Sequence, residues 1–266
     1  MRKILLTTLG LFIMSLVFGQ ELTMQEKIQM ANNPLAKLKM ISFQNNFTSS
    51  YTQDPTASSN SMLFRWFQPV GNKWLVSINL PVTMSSAGGY SNSGIGGLNV
   101  FGTYVLTKPS SPTAIGIGPS VTAPTYTGYE SSDRGFFDNR PWTAGLALLV
   151  VDLKSPEFAK VLIAQYNKAI SPETNQEVNQ MTLQPILIPN IGDKGTYVRV
   201  SPIMTFDFEH GKYTIPLGVG IGQILAVKGA ILNFYVEPQY TVFCNLENAP
   251  KFNLSSGIII KLLSKK

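Results

Sequence analysis

From Met40 onwards, hydrophobic and polar residues alternate with a period of two, which is the pattern of half-buried β-strands rather than helices. In residues 73–82, apolar side chains at even positions alternate with an opposite face that carries Ser77 and Asn79. The same alternation recurs in three later segments, 197–206, 232–242 and 252–261. Each of these strands is therefore expected to have one apolar face and one mostly polar face.

The apolar segments and the turn residues between them predict about twelve strands, at a spacing of about 19 residues for a strand and its connection. The predicted strands are centred near Phe43, Phe64, Val76, Val100, Ile117, Leu146, Leu162, Leu183, Val200, Leu217, Val236 and Ile258. An even number of evenly spaced strands is typical of a closed up-and-down barrel.

Small residues indicate which face of the barrel points inward. The polar faces of two strands carry Gly116, Gly118, Ser120 and Thr122, and Thr214, Pro216, Gly218, Gly220 and Gly222. Inward glycines would make a poor hydrophobic core for a soluble barrel, whereas the opposite faces, rich in Ile, Val and Leu, suit lipid. The predicted fold class is therefore all-β: a transmembrane antiparallel up-and-down β-barrel of about 12 strands, preceded by a short N-terminal helix.

The connections alternate in length, as expected for short periplasmic turns and longer external loops. The predicted turns are residues 70–73, 108–112, 154–157, 190–195 and 225–230, and the predicted loops are 53–60, 84–97, 126–140 and 244–251, with 208–212 as a tight exception. Aromatic residues near the strand ends are expected to form interface girdles. They are Trp66, Trp74 and Tyr197 on one side and Trp142, Phe206, Tyr213, Tyr240 and Phe252 on the other.

The N-terminus predicts export. Residues 1–20 combine Arg2 and Lys3 with a short apolar stretch and a small Gly19, which is typical of a secretory signal peptide. Residues 21–39 form a short helical segment that Pro34 interrupts, and residues 40–266 form the barrel. The helical segment would lie either in the periplasm or inside the lumen as a small plug. The expected location is the outer membrane of a Gram-negative bacterium.

Composition narrows the function classes. Of the 266 residues, 14% are charged and 44% are hydrophobic, and the formal net charge is +6. Beyond the first 20 residues no apolar run is long enough for a spanning helix. A single cysteine, Cys244, excludes a disulfide framework, and a single histidine, His210, leaves too few ligands for an ordinary zinc site. No cofactor, metal or nucleic acid is expected.

Three features are candidate chemistry, each with a simpler structural interpretation. The series Gly218, Gly220 and Gly222 resembles a nucleotide loop, but no helix follows it. His210 is the base that a membrane-embedded lipid hydrolase would need, yet it lies beside Gly211 in a tight turn. The acidic residues of the longest loop, Glu130, Asp133 and Asp138, do not have the spacing of a calcium loop.

Several segments resemble a bacterial outer-membrane barrel family that is associated with the meta-pathway of phenol degradation and often mislabelled neuromedin U. The matching segments are 33–47, 114–125, 179–191, 197–209 and 214–225. They repeat structural features of a barrel, so the resemblance implies an outer-membrane channel or transporter without a defined substrate. The sequence departs from the usual barrel ending, because it finishes with Ser264, Lys265 and Lys266 instead of an aromatic residue.

Charged and polar residues within the strands are candidate lumen-lining residues, since a charge facing lipid costs several kcal/mol, roughly 2 to 4 at the bilayer midplane. The candidates are Arg65, Arg199, Glu237, Gln239 and Lys261. They would form either a structural salt-bridge network or a constriction that guides solutes. An Arg199 to Glu237 contact would have to cross the intervening strand, where inward glycines leave room.

The leading functional prediction is a channel or transporter for small molecules, and no catalytic residues are expected. The alternatives are a barrel enzyme of the lipid hydrolase type and a purely structural barrel. The expected partners are outer-membrane lipid, an unknown small-molecule solute and the barrel-assembly machinery during insertion.

Overall fold

The structure is a computed structural model that describes residues 22–88, 90–108, 111–127, 141–155, 157–171 and 177–263. The predicted signal peptide and the three acidic residues of the longest predicted loop lie outside these ranges. The described elements are helix α1 (Met24–Asn32) and the strands β1 (Lys39–Tyr51), β2 (Ser58–Val70), β3 (Trp74–Ala87), β4 (Tyr90–Ile95), β5 (Leu98–Val105), β6 (Thr113–Ala123), β7 (Thr143–Ser155), β8 (Phe158–Ala169), β9 (Asn179–Ile191), β10 (Thr196–Arg199), β11 (Met204–Asp207), β12 (Lys212–Gly218), β13 (Gly220–Val227), β14 (Ala230–Cys244) and β15 (Pro250–Leu262).

Twelve barrel strands arise from these fifteen segments because three strands are interrupted. β4 and β5 are two parts of one strand, as are β10 with β11 and β12 with β13. The break between β10 and β11 contains Pro202, which has no backbone N–H to give to a neighbouring strand.

The barrel is closed and antiparallel throughout. Each barrel strand pairs with the next along the chain, and β1 pairs with β15 through partners such as Phe43 and Ile258. The predicted fold class, a closed barrel of 12 antiparallel strands with one short N-terminal helix, is therefore confirmed. Closure leaves no free sheet edge.

The two ends of the barrel differ. We call the end with the β2–β3, β9–β10 and β13–β14 connections the turn end, and the opposite end the loop end. At the turn end, Gly71, Gly192 and Gly229 have positive φ angles of 59°, 65° and 80°, which glycine adopts readily in tight turns. β1 begins and β15 finishes at the turn end, where Lys39 pairs with Leu262.

One predicted loop is instead a hairpin. Residues 84–97 were expected to form an external loop because they are rich in serine and glycine, but β3 continues to Ala87 and β4 returns from Tyr90, with Met84 opposite Ser93. Backbone pairing continues through this Ser- and Gly-rich segment, where the side-chain pattern alone indicates a loop.

The outward face is apolar, as the alternation predicts. On β14, Val236 and Tyr240 are 40% and 50% exposed, whereas Asn233 and Glu237, which point inward, are 3% and 0% exposed. Most of the predicted girdle aromatics are outward and exposed, including Trp66, Trp74 and Trp142. The girdle prediction was wrong for Tyr197, which is fully buried inside the barrel.

Helix α1 has a well-defined start. The hydroxyl of Thr23 accepts a hydrogen bond from the backbone N–H of Glu26, and the Glu26 carboxylate accepts one from the backbone N–H of Thr23. The backbone N–H of Thr23 is also the main reason why the pKa of Glu26 lies below its usual value. Within the described residues, no helix is long and apolar enough to cross a membrane.

Candidate functional site: the lumen and its N-terminal plug

The lumen is occupied at its turn end by residues 22–38, which include α1 and which we call the plug. Ile28 and Ala31 of α1 are buried against inward side chains of the barrel wall. These wall residues are Ala159, Ile188, Tyr197, Ile224, Ile231 and Tyr235. Of the two positions that the sequence allowed for the helical segment, the structure has the one inside the lumen.

Lys261 fixes the C-terminal end of the helix. Its Nζ donates hydrogen bonds to the carbonyl oxygens of Met30 and Asn33, at 2.8 and 2.7 Å. The last carbonyls of a helix lack partners within the helix and carry the negative end of its dipole, so an ammonium group satisfies both needs. Lys261 is 3% exposed, and it attaches the plug to the last strand of the barrel.

Two more polar contacts join the plug to the turn end. The side-chain amide of Asn32 donates to Oδ1 of Asn190 at 3.3 Å, and Nζ of Lys37 donates to Oδ1 of Asn72 in the β2–β3 turn at 3.0 Å. These contacts lie on different sides of the barrel, so the plug is held from several strands.

The inward wall at the turn end is apolar, which the sequence prediction missed. Leu35 of the plug packs against a second buried cluster. Its members are Met40, Phe67, Leu75, Phe101, Ala147, Leu149, Val151 and Val161. The sequence feature that could have predicted this apolar wall is the run of apolar residues on both faces of β7 and β8. This run breaks the alternation where the wall packs against the plug.

Arg199 and Glu237 form a buried ion pair. Nε of Arg199 lies 3.2 Å from Oε2 of Glu237 without the alignment of a hydrogen bond, and the two side chains are 6% and 0% exposed. The Arg199 guanidinium also lies over the Tyr235 ring, 4.0 Å from its centroid.

Glu237 accepts three further hydrogen bonds, from two residues. It accepts hydrogen bonds from the backbone N–H and the hydroxyl of Ser201, at 2.9 and 2.7 Å, and from the side-chain amide of Gln239 at 2.8 Å. Oε1 of Gln239 in turn accepts from the side-chain amide of Asn253 at 3.1 Å. This network satisfies the buried carboxylate and links β10, β14 and β15.

The ion pair crosses the strand between its two members. Arg199 is the register partner of Gly220, and β13 separates β10 from β14 at this level. A Cβ at Gly220 would lie 2.2 Å from the carbonyl oxygen of Val236 and 2.6 Å from Cβ of Glu237. Only glycine leaves space here, so the glycine series forms a groove in the wall.

Arg65 differs from the other lumen-facing cations. It lies on β2 between register partners Ser42 and Asn79, and its Nε, like that of Arg199, is buried without a hydrogen-bond partner. Among the residues that the structure describes, no carboxylate pairs with it. Arg65 and Arg199 extend from different walls and line the same cavity.

The lumen is only partly filled. A cavity of about 80 Å³ lies above the plug, between Arg65, Arg199 and Tyr235. A cavity of about 370 Å³ lies on its loop-end side, with Arg65 in both walls, and a third of about 550 Å³ lies beside Leu35 of the plug at the turn end.

Tyr235 and Ser201 are site residues that the sequence analysis did not select. Both lie on the inward face by the same alternation that selected Glu237 and Arg199. The alternation is therefore sufficient to identify Tyr235 and Ser201. They were not selected because the choice of candidates favoured charged residues.

The other candidate chemistry is separate from the lumen. His210 is exposed in the β11–β12 turn, where its Nδ1 lies 2.8 Å from Oδ2 of Asp207. Within the described residues, no three metal-ligating side chains cluster.

Comparisons with known proteins extend this description. No protein-family model and no curated protein matches the sequence. Among solved structures, the chain is similar to the COG4313 outer membrane channel from Pseudomonas putida F1, with a TM-score of 0.60 and 15% identity over 85% of this chain and 94% of that one. At lower TM-scores the chain is also similar to the CymD monoaromatic hydrocarbon channel, with a TM-score of 0.44 and 11% identity over 89% of this chain and 92% of that one. It is similar as well to an anion-selective porin from Comamonas acidovorans, with a TM-score of 0.39 and 8% identity over 85% of this chain and 98% of that one. The chain therefore shares the barrel fold of the COG4313 channel.

Proposed function

We propose that this chain is an outer-membrane channel or transporter for small molecules whose lumen is closed at the turn end by the plug. The single observation that carries the proposal is the plug itself: a segment held inside the barrel by Lys261, with two cavities lined in part by its own residues. A purely structural barrel has no need for a separate closing segment and water-sized space beside it.

The outward surface supports the membrane location. Large apolar side chains such as Phe64, Leu217 and Val236 are 37%, 48% and 40% exposed on the outside, while the polar side chains face inward. A closed barrel satisfies every strand edge, which is the condition for strands to cross a bilayer. The predicted signal peptide supports export to the outer membrane, with the turn end on the periplasmic side.

Resemblances support the same function. The solved structure with the TM-score of 0.60 is named as an outer membrane channel. The sequence segments that resemble the barrel family associated with phenol degradation extend over the same strands. We therefore favour a channel over the lipid hydrolase alternative, for which His210 lies at the wrong place, in an exposed turn outside the lumen.

Release of the plug tests the proposal. Ile28→Asp places a carboxylate in the apolar contact between α1 and the barrel wall, where Ile28 is 4% exposed. In planar bilayers we expect this variant to give larger and more frequent conductance steps than the parent protein. Gln29→Asp, on the exposed face of the same helix, is the matched control and should behave like the parent. Equal conductance in all three proteins, or recovery of the protein as a soluble periplasmic species, would overturn the proposal.

A further inference from the structure

The starting observation is the charge balance of the inner lumen. Arg199 has Glu237 as its counter-ion, and Lys261 is occupied by two carbonyl oxygens of the plug. Among the described residues Arg65 has neither, and its Nε is shielded from solvent without a hydrogen bond. A shielded guanidinium N–H without a partner is costly, and native proteins rarely leave one uncompensated.

The surroundings of Arg65 make the imbalance larger. Arg65, Arg199 and Lys261 all line the 80 Å³ cavity, whereas no carboxylate is among its described lining residues. Glu237, outside this lining, pairs with Arg199. An anion from outside the chain would neutralise the surplus. A carboxylate suits a guanidinium in particular, because its two oxygens match the parallel N–H donors.

The neighbouring walls combine apolar side chains with many polar ones at this level. Phe67 and Ile163 line both the small cavity and the 370 Å³ cavity on its loop-end side, and Phe101 and Leu63 add to the larger one. Amide groups such as those of Gln184 complete the lining. A volume of 370 Å³ falls in the range of small-ligand sites and has room for an apolar body at least as large as a single aromatic ring.

We propose that the lumen holds a binding site for a small organic carboxylate, with the carboxylate on Arg65 and the apolar body against Phe67, Phe101 and Ile163. The inference rests on the proposed function, since a solute must enter the lumen from the loop end to reach it. It adds a substrate class to that function: monoanionic amphiphiles rather than neutral solutes. Arg199 adds positive potential to the site. Because Arg199 is already paired with the Glu237 carboxylate, Arg65 rather than Arg199 is the main ligand of the bound carboxylate.

The test compares two probes of nearly equal shape. Binding of benzoate and of neutral benzamide to the folded protein in a non-ionic detergent is measured by isothermal titration calorimetry. Because a charge-assisted hydrogen-bonded pair contributes about 1.5 to 3 kcal/mol, we expect benzoate to bind at least about tenfold more tightly than benzamide. Equal affinities in the parent protein would overturn the proposal, and this comparison depends on no variant.

A pair of variants locates the site. Arg65→Met keeps the length of the side chain and removes the charge, so the preference for benzoate should disappear while benzamide binding is unchanged. Lys160→Met removes a cation from the outer surface, where its side chain is 50% exposed, and should keep the preference. Loss of the preference in both variants, or in neither, would overturn the assignment to Arg65. Benzoate binding in a protein that conducts neither before nor after release of the plug would refute the proposed function and leave the binding site standing.

Discussion

Arg199 and Glu237 meet across a strand that carries only a glycine between them, and they are the buried charge pair of the barrel wall. The pair lies on strands that are not neighbours, and the groove at Gly220 makes the contact sterically allowed. With Ser201 and Gln239 completing its partners, Glu237 is bound on all sides by protein. This arrangement favours the structural alternative for these two residues over a solute-guiding constriction.

Removal of Glu237 should therefore destabilise the barrel more than it changes ion selectivity. Glu237→Ala leaves Arg199 buried without its counter-ion, and we expect a loss of about 3 to 5 kcal/mol in the free energy of unfolding. The double variant Arg199→Met with Glu237→Met should recover most of this loss because no charge remains unpaired. Urea unfolding in detergent or lipid vesicles measures both. A large selectivity change at unaltered stability would instead support the constriction.

The groove at Gly220 can be tested by a single methyl group. Gly220→Ala would place Cβ 2.2 Å from the Val236 carbonyl oxygen, so we expect a loss of about 1 to 3 kcal/mol from overpacking. Gly102→Ala is the matched control, since a Cβ there meets only the Trp74 ring at 3.5 Å. The urea midpoint should fall for the first variant and stay within error for the second. Similar urea midpoints for the two variants would show that the backbone around Gly220 can shift to accommodate a methyl group.

Lys261 should control how firmly the plug is held. Lys261→Met removes both hydrogen bonds to the end of α1 while retaining most of the apolar stem, so the plug should leave the lumen more often. We expect longer open times in single-channel recordings and faster proteolysis near α1. Lys251→Met, on the same strand but exposed at the loop end, should have no effect. An unchanged recording for Lys261→Met would mean that the remaining polar and apolar contacts are enough to retain the plug.

The inside and outside of the barrel should respond differently to a new charge. Val236→Arg places a guanidinium on the lipid-facing surface and is expected to cost about 2 to 4 kcal/mol near the bilayer midplane. Gln239 is a poor inward comparison because it already lies between Glu237 and Asn253, so Thr182→Arg, beside the 370 Å³ cavity, is the better one. Its cost should be much smaller. Equal costs in vesicle unfolding assays would contradict the assignment of faces.

Much of this fold could be predicted from the sequence, because a barrel strand repeats its inward and outward positions every two residues. The alternation around Glu237 gave the correct faces for β14, and the turn at Gly71 was visible from its short polar segment. Where both faces are apolar, as in residues 146–151, the period disappears, and the sequence alone does not indicate that one face packs against a plug. The prediction of a loop at the Ser-rich segment 84–97 was wrong for another reason. The side-chain pattern of this segment does not indicate the backbone pairing that forms its hairpin.

The sequence could predict which residues face the lumen, but not which of these residues contact one another. Alternation alone placed Arg199 and Glu237 on the inward face, but their distance depends on strand order and on the tilt that brings β10 and β14 to one level. That Arg65 has no counter-ion among the described residues likewise depends on the whole barrel, because a missing partner can be recognised only when the neighbouring strands are in place.

The contact between Lys261 and the plug also imposes an order on assembly. Lys261 and the carbonyl oxygen of Asn33 are 228 residues apart in the chain, and Lys261 belongs to β15, which seals the cylinder by pairing with β1. The chain therefore has to form its first and last strands before Lys261 can bind the carbonyl oxygens of the N-terminal segment. Until β15 pairs with β1, the N-terminal segment lacks this anchor, so closure of the barrel wall also completes the attachment of the segment that fills its turn end.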